Sequence, residues 1–206
     1  MAASKVSADA FFQAVKTRRT IYNLNKTLPI PASRIQHLLE QTMLHTPSSF
    51  NSQSTRAVLL LGAEHDKLWA LTLDTLRALV PSSTWSATEE RIAGFARGAG
   101  TVLFFSDAAT TSALQAKLPT YADRFPGWAE QSSAMHQQTL WTALELEGLG
   151  ANLQHYNPLI DAEVAKTWGV PESWMLNAQL VFGGKGGEAG EKEFEPLEGR
   201  VKIFGA

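Results

Sequence analysis

Arg18, Arg19 and Thr20 place two guanidiniums and a hydroxyl within three residues. That set suits a phosphate, because a guanidinium donates in a planar, bidentate fork. Taken alone, the same residues are ordinary, since cations are favoured at helix C-termini. A second stretch, Pro47-Ser48-Ser49-Phe50-Asn51-Ser52-Gln53, is small and polar. Its amides offer both donor and acceptor, as the edge of a heteroaromatic ring requires, though without context it reads as a turn. Further along come Gly148-Leu149-Gly150-Ala151-Asn152-Leu153-Gln154-His155-Tyr156-Asn157-Pro158 and Lys192-Glu193-Phe194-Glu195-Pro196-Leu197-Glu198. Together these segments supply cations, hydroxyls and amides for a polar ligand that carries a phosphate.

Other chemistries find no support. Gly148-Leu149-Gly150 lacks the third glycine of a dinucleotide fingerprint and follows a helical pattern instead of a strand, so Gly148 is read as a helix C-cap. Gly183-Gly184-Lys185-Gly186-Gly187 has no Ser or Thr after the lysine and is not a P-loop. His37, His45, His65, His136 and His155 fall in no metal-ligand spacing, and no metal is expected. There is no GxSxG elbow. Glu145 and Glu147 lie on different faces of a helix and make no carboxylate pair. The chain has no cysteine, which excludes disulfides, iron–sulfur clusters and thiol nucleophiles.

The elements that must position these residues are legible from periodicity. Ala8, Phe11, Phe12 and Val15 form one helix face. Ile35, Leu38, Leu39, Thr42 and Met43 form another, after Pro31 as a first-turn proline. Buried strands are predicted at 57–61, 101–105 and 176–182, with a last short one at 201–204. Helices are predicted at 65–79, 86–97, 108–117 and 131–148, the last long and apolar enough for the middle of a core. Segments 119–127 and 183–195 read as surface loops. Phe50, Tyr121, Phe125, Trp128 and Tyr156 fall in loops or at element ends, where aromatics can cover a flat ligand. No βαβ alternation is present, so the expectation is an α+β fold, with residues 1–206 as a single domain.

With 206 residues and 44% hydrophobic content, the chain can bury a substantial core. A net charge of −2 gives no electrostatic case for nucleic acid. Residues 1–10 hold no apolar signal core, and no long uncharged apolar run suggests a membrane segment. A cytoplasmic protein is expected, with the nucleus as the other compartment and an Ala/Ser-rich transit leader as the minor reading.

The segments 18–22, 47–53, 100–105, 148–159 and 191–205, in this order, resemble the nitroreductase superfamily of flavin proteins. The resemblance is to the subgroup of the yeast fatty-acid-repression-mutant protein and the bacterial copper-induced nitroreductase. It implies a central, mostly antiparallel sheet flanked by helices, in an intertwined homodimer. One FMN would sit at each of two sites across the subunit interface. The long helix would lie at that interface, and a C-terminal segment would wrap onto the partner. By resemblance, Arg18, Arg19, Thr20 and Lys192 meet the FMN phosphate and ribityl chain. Pro47, Ser48, Ser49, Asn51 and Gln53 reach the flavin from the opposite subunit. Leu153, Gln154 and His155 pass the ring, largely through backbone. Tyr22 and Phe194 stand where cations are common, and nothing in the sequence identifies a cation for the flavin N1–C2 region.

The activity implied is FMN-dependent oxidation of NADH or NADPH with reduction of nitroaromatic or quinone-like acceptors, in ping-pong order, and a role in stress response. Since flavin N5 carries the chemistry, no catalytic side chain is required. The alternative is a flavin- or lipid-responsive regulatory protein whose reductase activity is incidental.

Overall fold

The sequence Thr101-Val102-Leu103-Phe104-Phe105 has no polar face, and a strand of that kind must be covered on both sides. It lies in β3 (Gly100–Asp107), where all eight residues are buried. The computed structural model describes residues 6–205, so the first half of the 1–10 segment, the place of the minor transit-leader reading, lies outside the described residues.

On one edge, β3 pairs antiparallel with β2 (Thr55–Leu61). On the other it pairs antiparallel with β5 (Trp174–Lys185). Beyond that, β5 pairs antiparallel with β1 (Leu24–Asn25) and with β4 (Leu149–Gln154). Side chains alternate across the pleat, so β3 feeds two cores. Leu103 and Phe105 join Leu68, Trp69, Ile92, Phe95 and Val164, from α3 (Ala63–Arg77), α4 (Trp85–Ala96) and α7 (Asp161–Trp168). Val102 and Phe104 join Ile35, Leu39, Leu140 and Leu144, from α2 (Ala32–His45) and α6 (Phe125–Leu146). Two helical layers thus enclose the mostly antiparallel sheet expected for an α+β chain.

The differences from expectation have physical causes. The strand predicted at 57–61 is only half-buried, because β2 is an edge. The helix predicted from 131 begins six residues earlier, at Phe125, with Pro126 in its first turn; proline is tolerated there because that N–H has no helical partner. The loop predicted at 119–127 is a 3-10 turn (Pro119–Arg124) running into that helix. Pro31 caps α2 from just outside its first turn.

The strands β1 and β4 and the helix α7 were not anticipated. In β4, a Cβ at Gly150 would stand 2.9 Å from Leu24 Cδ2 and 3.0 Å from Ile21 Cβ, so glycine there lets the chain entering β1 cross the strand closely. Likewise β5 runs through Gly183, where a Cβ would meet the Asn25 carbonyl oxygen at 2.4 Å. The glycine-rich segment 183–187 is therefore a packing device. No strand forms at 201–204; the chain beyond Gly187 joins no sheet and makes a turn at Leu197–Arg200. Finally, α1 (Ala8–Thr17) buries no residue, and Phe11 and Phe12 of its apolar face remain exposed.

Candidate functional site

Arg18 is the C-cap of α1, its N–H donating to the Ala14 carbonyl. The chain then turns along β4. Thr20 bridges to Ala151, and the Ile21 N–H donates to the Ala151 carbonyl at 2.9 Å. Asn152, fully buried, donates through Nδ2 to the Ile21 carbonyl at 3.0 Å and accepts from Gln154 Nε2 at 2.9 Å. One buried amide thus fixes the 18–22 segment against the strand that carries Gln154.

The C-terminal segment returns to the same place. The Gly186 N–H donates to the Asn23 carbonyl, and Arg19 donates to the Gly190 carbonyl. Arg18, Arg19, Thr20, Gly190 and Lys192 consequently line one cleft of about 340 Å3. Three cations and a hydroxyl face it from opposite ends of the sequence. The Arg18 guanidinium stacks on Trp141 of α6, 4.2 Å from the ring centroid, and its Nε–H is buried without a partner. Burial lowers its pKa; neighbouring Glu145 opposes the shift and Arg19 reinforces it. Arginine stays protonated regardless, so the cleft holds a desolvated, under-satisfied cation. A phosphate answers that need.

Tyr22 is shared between this cleft and a larger cavity of about 850 Å3. Its walls include Glu90, Arg91, Gly94, Phe95 and Arg97 of α4 and its C-cap, with Gln154 of β4. A ligand with its phosphate at Arg18 and a flat ring beyond Tyr22 fits this pair of spaces. Arg91 and Arg97 are the residues that sequence reasoning passed over. In sequence they read as the solvated face of a helix; only their approach to β4 gives them a role. Arg91 is also close enough to Tyr156 to oppose the burial that raises that phenol's pKa.

The Leu153–His155 segment divides. Leu153 packs into the core under α2 and α6. Gln154 opens onto the 850 Å3 cavity. His155, one residue on, faces a third cavity of about 620 Å3 formed with α5 (Ala108–Lys117) and α6. The strand period of two separates Leu153 from Gln154; His155 lies just past the end of β4, where the chain leaves the sheet. The turn that follows is held by buried Gln179, which accepts from the Tyr156 N–H at 2.7 Å and donates to Asn157 Oδ1 at 3.3 Å.

The other predicted group, Pro47, Ser48, Ser49, Asn51 and Gln53, lines none of these three cavities within the chain. Phe50 of that loop packs instead on Tyr121, Phe125 and Trp128, with ring centroids 5.6–5.9 Å away. Phe50, Asn51 and Gln53 all have positive φ, at 55°, 50° and 48°. Left-handed backbone at non-glycine residues costs on the order of 1 kcal/mol each and persists only where the surroundings enforce it. Among the described residues no group of three His, Asp or Glu side chains could hold a metal, and no helix is long and apolar enough to cross a membrane.

Comparison with known proteins agrees with this geometry. Residues 15–184 match the sequence profile described as the nitroreductase family. The nitroreductase FRM2 of Saccharomyces cerevisiae is 37% identical over 175 residues, covering 84% of this chain and 86% of that protein. The structure of the nitroreductase CinD from Lactococcus lactis in complex with 4-nitrophenol is 42% identical and superposes with a TM-score of 0.87, over 94% of this chain and 99% of that one. A nitroreductase with bound FMN from Desulfitobacterium hafniense shares the fold at 16% identity, with a TM-score of 0.68 over 94% of this chain and 97% of that one. The profile match runs from the last turns of α1 almost to the end of β5 and takes in every element from β1 to α7; on that footing the chain belongs to the nitroreductase family.

Proposed function

We propose that the protein is an FMN-dependent NAD(P)H oxidoreductase acting on nitroaromatic or quinone-like acceptors. Family membership makes it a nitroreductase-type oxidoreductase; the cofactor, the co-substrate and the order of reaction are the proposal. The observation that carries it is the cleft where Arg18, Arg19, Thr20 and Lys192 converge, with the Arg18 Nε–H buried and unpaired. The adjoining cavity behind Tyr22 has room for a tricyclic ring, and the chain carries no dinucleotide fingerprint, which favours FMN over a dinucleotide flavin. A nitroreductase of this fold is known with FMN bound, and CinD is known with 4-nitrophenol.

When bound, FMN would supply the redox chemistry, accepting hydride from NADH or NADPH and passing it to the acceptor in ping-pong order. The chain's own residues do the holding. Arg18, Arg19 and Lys192 donate charge-assisted hydrogen bonds to the phosphate, and Thr20 adds a hydroxyl. Gln154, braced by Asn152, presents its amide at the ring edge. Arg91 of α4 provides the cation that the sequence lacked for the pyrimidine side of the ring. Pro47, Ser48, Ser49, Asn51 and Gln53 serve the site of a second copy, and Leu153 and His155 shape it through backbone. The assembly is a homodimer.

The test is direct. Purified protein should be yellow, and it should oxidise NADH or NADPH in the presence of a nitroaromatic acceptor. Saturable FMN binding without acceptor-dependent oxidation would move the protein to a regulatory role. Absence of FMN binding would refute the assignment.

A further inference from the structure

The Pro47–Gln53 loop adopts three left-handed residues that are not glycine, so something outside the loop must hold it. Internal hydrogen bonds do part of this. The Asn51 N–H donates to the Ser48 carbonyl at 2.9 Å, the Ser52 N–H to the Ser49 carbonyl at 3.0 Å, and the Gln53 N–H to Ser48 Oγ at 2.9 Å. These close the turn on itself but do not aim it.

Outside the loop, Phe50 packs on Tyr121, Phe125 and Trp128, and the polar clamp is Arg56, the second residue of β2. One of its terminal nitrogens donates to the Gln53 carbonyl at 2.6 Å and to the Thr55 carbonyl at 3.0 Å. The other donates to Asp107 Oδ2 at 2.8 Å and to Thr110 Oγ1 at 3.1 Å. Asp107 is itself well anchored. Its Oδ1 accepts from the Ala109 N–H as the N-cap of α5, and its own N–H donates to the Ser54 carbonyl at 2.8 Å. Burial works to raise the Asp107 carboxyl, but hydrogen bonds from Thr110, Ser173 and Ala109, with the charge of Arg56, outweigh it and hold it below its ordinary value. The guanidinium therefore spans from a fixed carboxylate in the sheet to the last left-handed residue of the loop.

We propose that Arg56 is the positioning residue of the 47–53 loop: it never touches the cofactor, but its two-sided hydrogen bonding sets the orientation in which Ser48, Ser49 and Asn51 meet it. A lysine cannot replace it, because one ammonium does not form the planar fork that reaches the carbonyl and the carboxylate together. This rests on the reading that the loop serves an FMN site.

Arg56→Lys and Arg56→Ala, together with Asn51→Ala as a contact variant, test it by two readouts. The first is amide hydrogen exchange of Asn51, Ser52 and Gln53 in the apoprotein, with the β2–β3 ladder as internal reference. The second is FMN affinity by fluorescence titration. Loss of the clamp should accelerate exchange at those three amides about tenfold or more while the ladder is unchanged, and should weaken FMN about tenfold. The lysine variant keeps the charge and the fold and should still show both effects. Unchanged loop exchange in either variant overturns the proposal, as does acceleration spread equally over the ladder. If Asn51→Ala weakens FMN and both Arg56 variants bind as wild type, the positioning role is overturned while the loop reading survives. If Asn51→Ala also binds FMN as wild type, the loop reading itself is overturned.

Discussion

Arg18 shows how one residue's meaning changes with its neighbours. In sequence it is a cation after a helix, a common C-terminal arrangement. In the structure it is stacked on Trp141, has a buried, unpaired Nε–H, and lines a cleft shared with Arg19 and Thr20. Lys192 completes the cleft from the far end of the chain. Each charge-assisted hydrogen bond to a phosphate is worth about 1.5–3 kcal/mol, so Arg18→Ala and Lys192→Ala should each weaken FMN binding roughly tenfold or more. The melting temperature of the apoprotein should fall little, since neither residue belongs to an apolar core. Equilibrium titration with FMN checks this, and wild-type affinity in both variants would remove the phosphate assignment.

At the scale of elements, α3 is tied to the sheet by a polar contact inside an apolar layer. Trp69 Nε1–H donates to Thr101 Oγ1 at 3.1 Å, and the Thr101 hydroxyl lies 2.8 Å from His65 Nδ1. The Thr101 hydroxyl accepts from Trp69 and shares the second hydrogen bond with His65, whose buried ring is held neutral. Burial, aided by the charge of Lys26, lowers the His65 pKa from 6.5 to about 4. The unfolded chain therefore takes up this proton at a higher pH than the folded one does. The stability that depends on neutral His65 is complete above about pH 6.5, falls as pH drops below that value, and stops falling near pH 4. Between pH 7 and pH 5 the loss from this residue is about 2 kcal/mol, at about 1.4 kcal/mol per pH unit below 6.5. Urea unfolding of wild type and His65→Gln, in the same cofactor state, should show the variant losing less stability over this interval by about that amount. Equal losses would count against the assignment.

At the scale of the whole molecule, the chain leaves apolar surface uncovered at both ends. Phe11 and Phe12 of α1 are exposed, and the C-terminal segment presents Phe194, Leu197, Val201, Ile203 and Phe204, the last 88% exposed. Large apolar side chains left exposed in such number point to a partner surface. The predicted ligand-binding residues of the 47–53 loop likewise line none of the three cavities described above. Both features call for a second copy, so the protein should sediment as a dimer at micromolar concentration, and deleting residues 194–206 should yield monomer with much weakened FMN binding. A wild-type monomer that binds FMN tightly would sink both the assembly and the shared site.

What the sequence determined was local. A run without a polar face, Thr101 to Phe105, could only be a doubly covered strand, and the helix 108–117 follows from residues that contact one another within a few positions. The adjacency of Arg18, Arg19 and Thr20 was likewise visible, because a phosphate-binding group can be written in consecutive residues. The tertiary structure alone decided what depends on distant segments meeting. Gly148 reads as a helix cap in sequence, but the glycine at 150 has a role only because Ile21 and Leu24 cross it, which is why β4 escaped notice. Arg91 and Arg97 line one cavity with Gln154 only because α4 lies against that side of the sheet. The end of β4 between Gln154 and His155 leaves the two on different cavities although they are neighbours in sequence. Patterns of period two or 3.6 are encoded by short-range sterics and can be read along the chain. Which cation faces which cleft is settled by how the two helical layers pack on the sheet, and no local pattern carries that information.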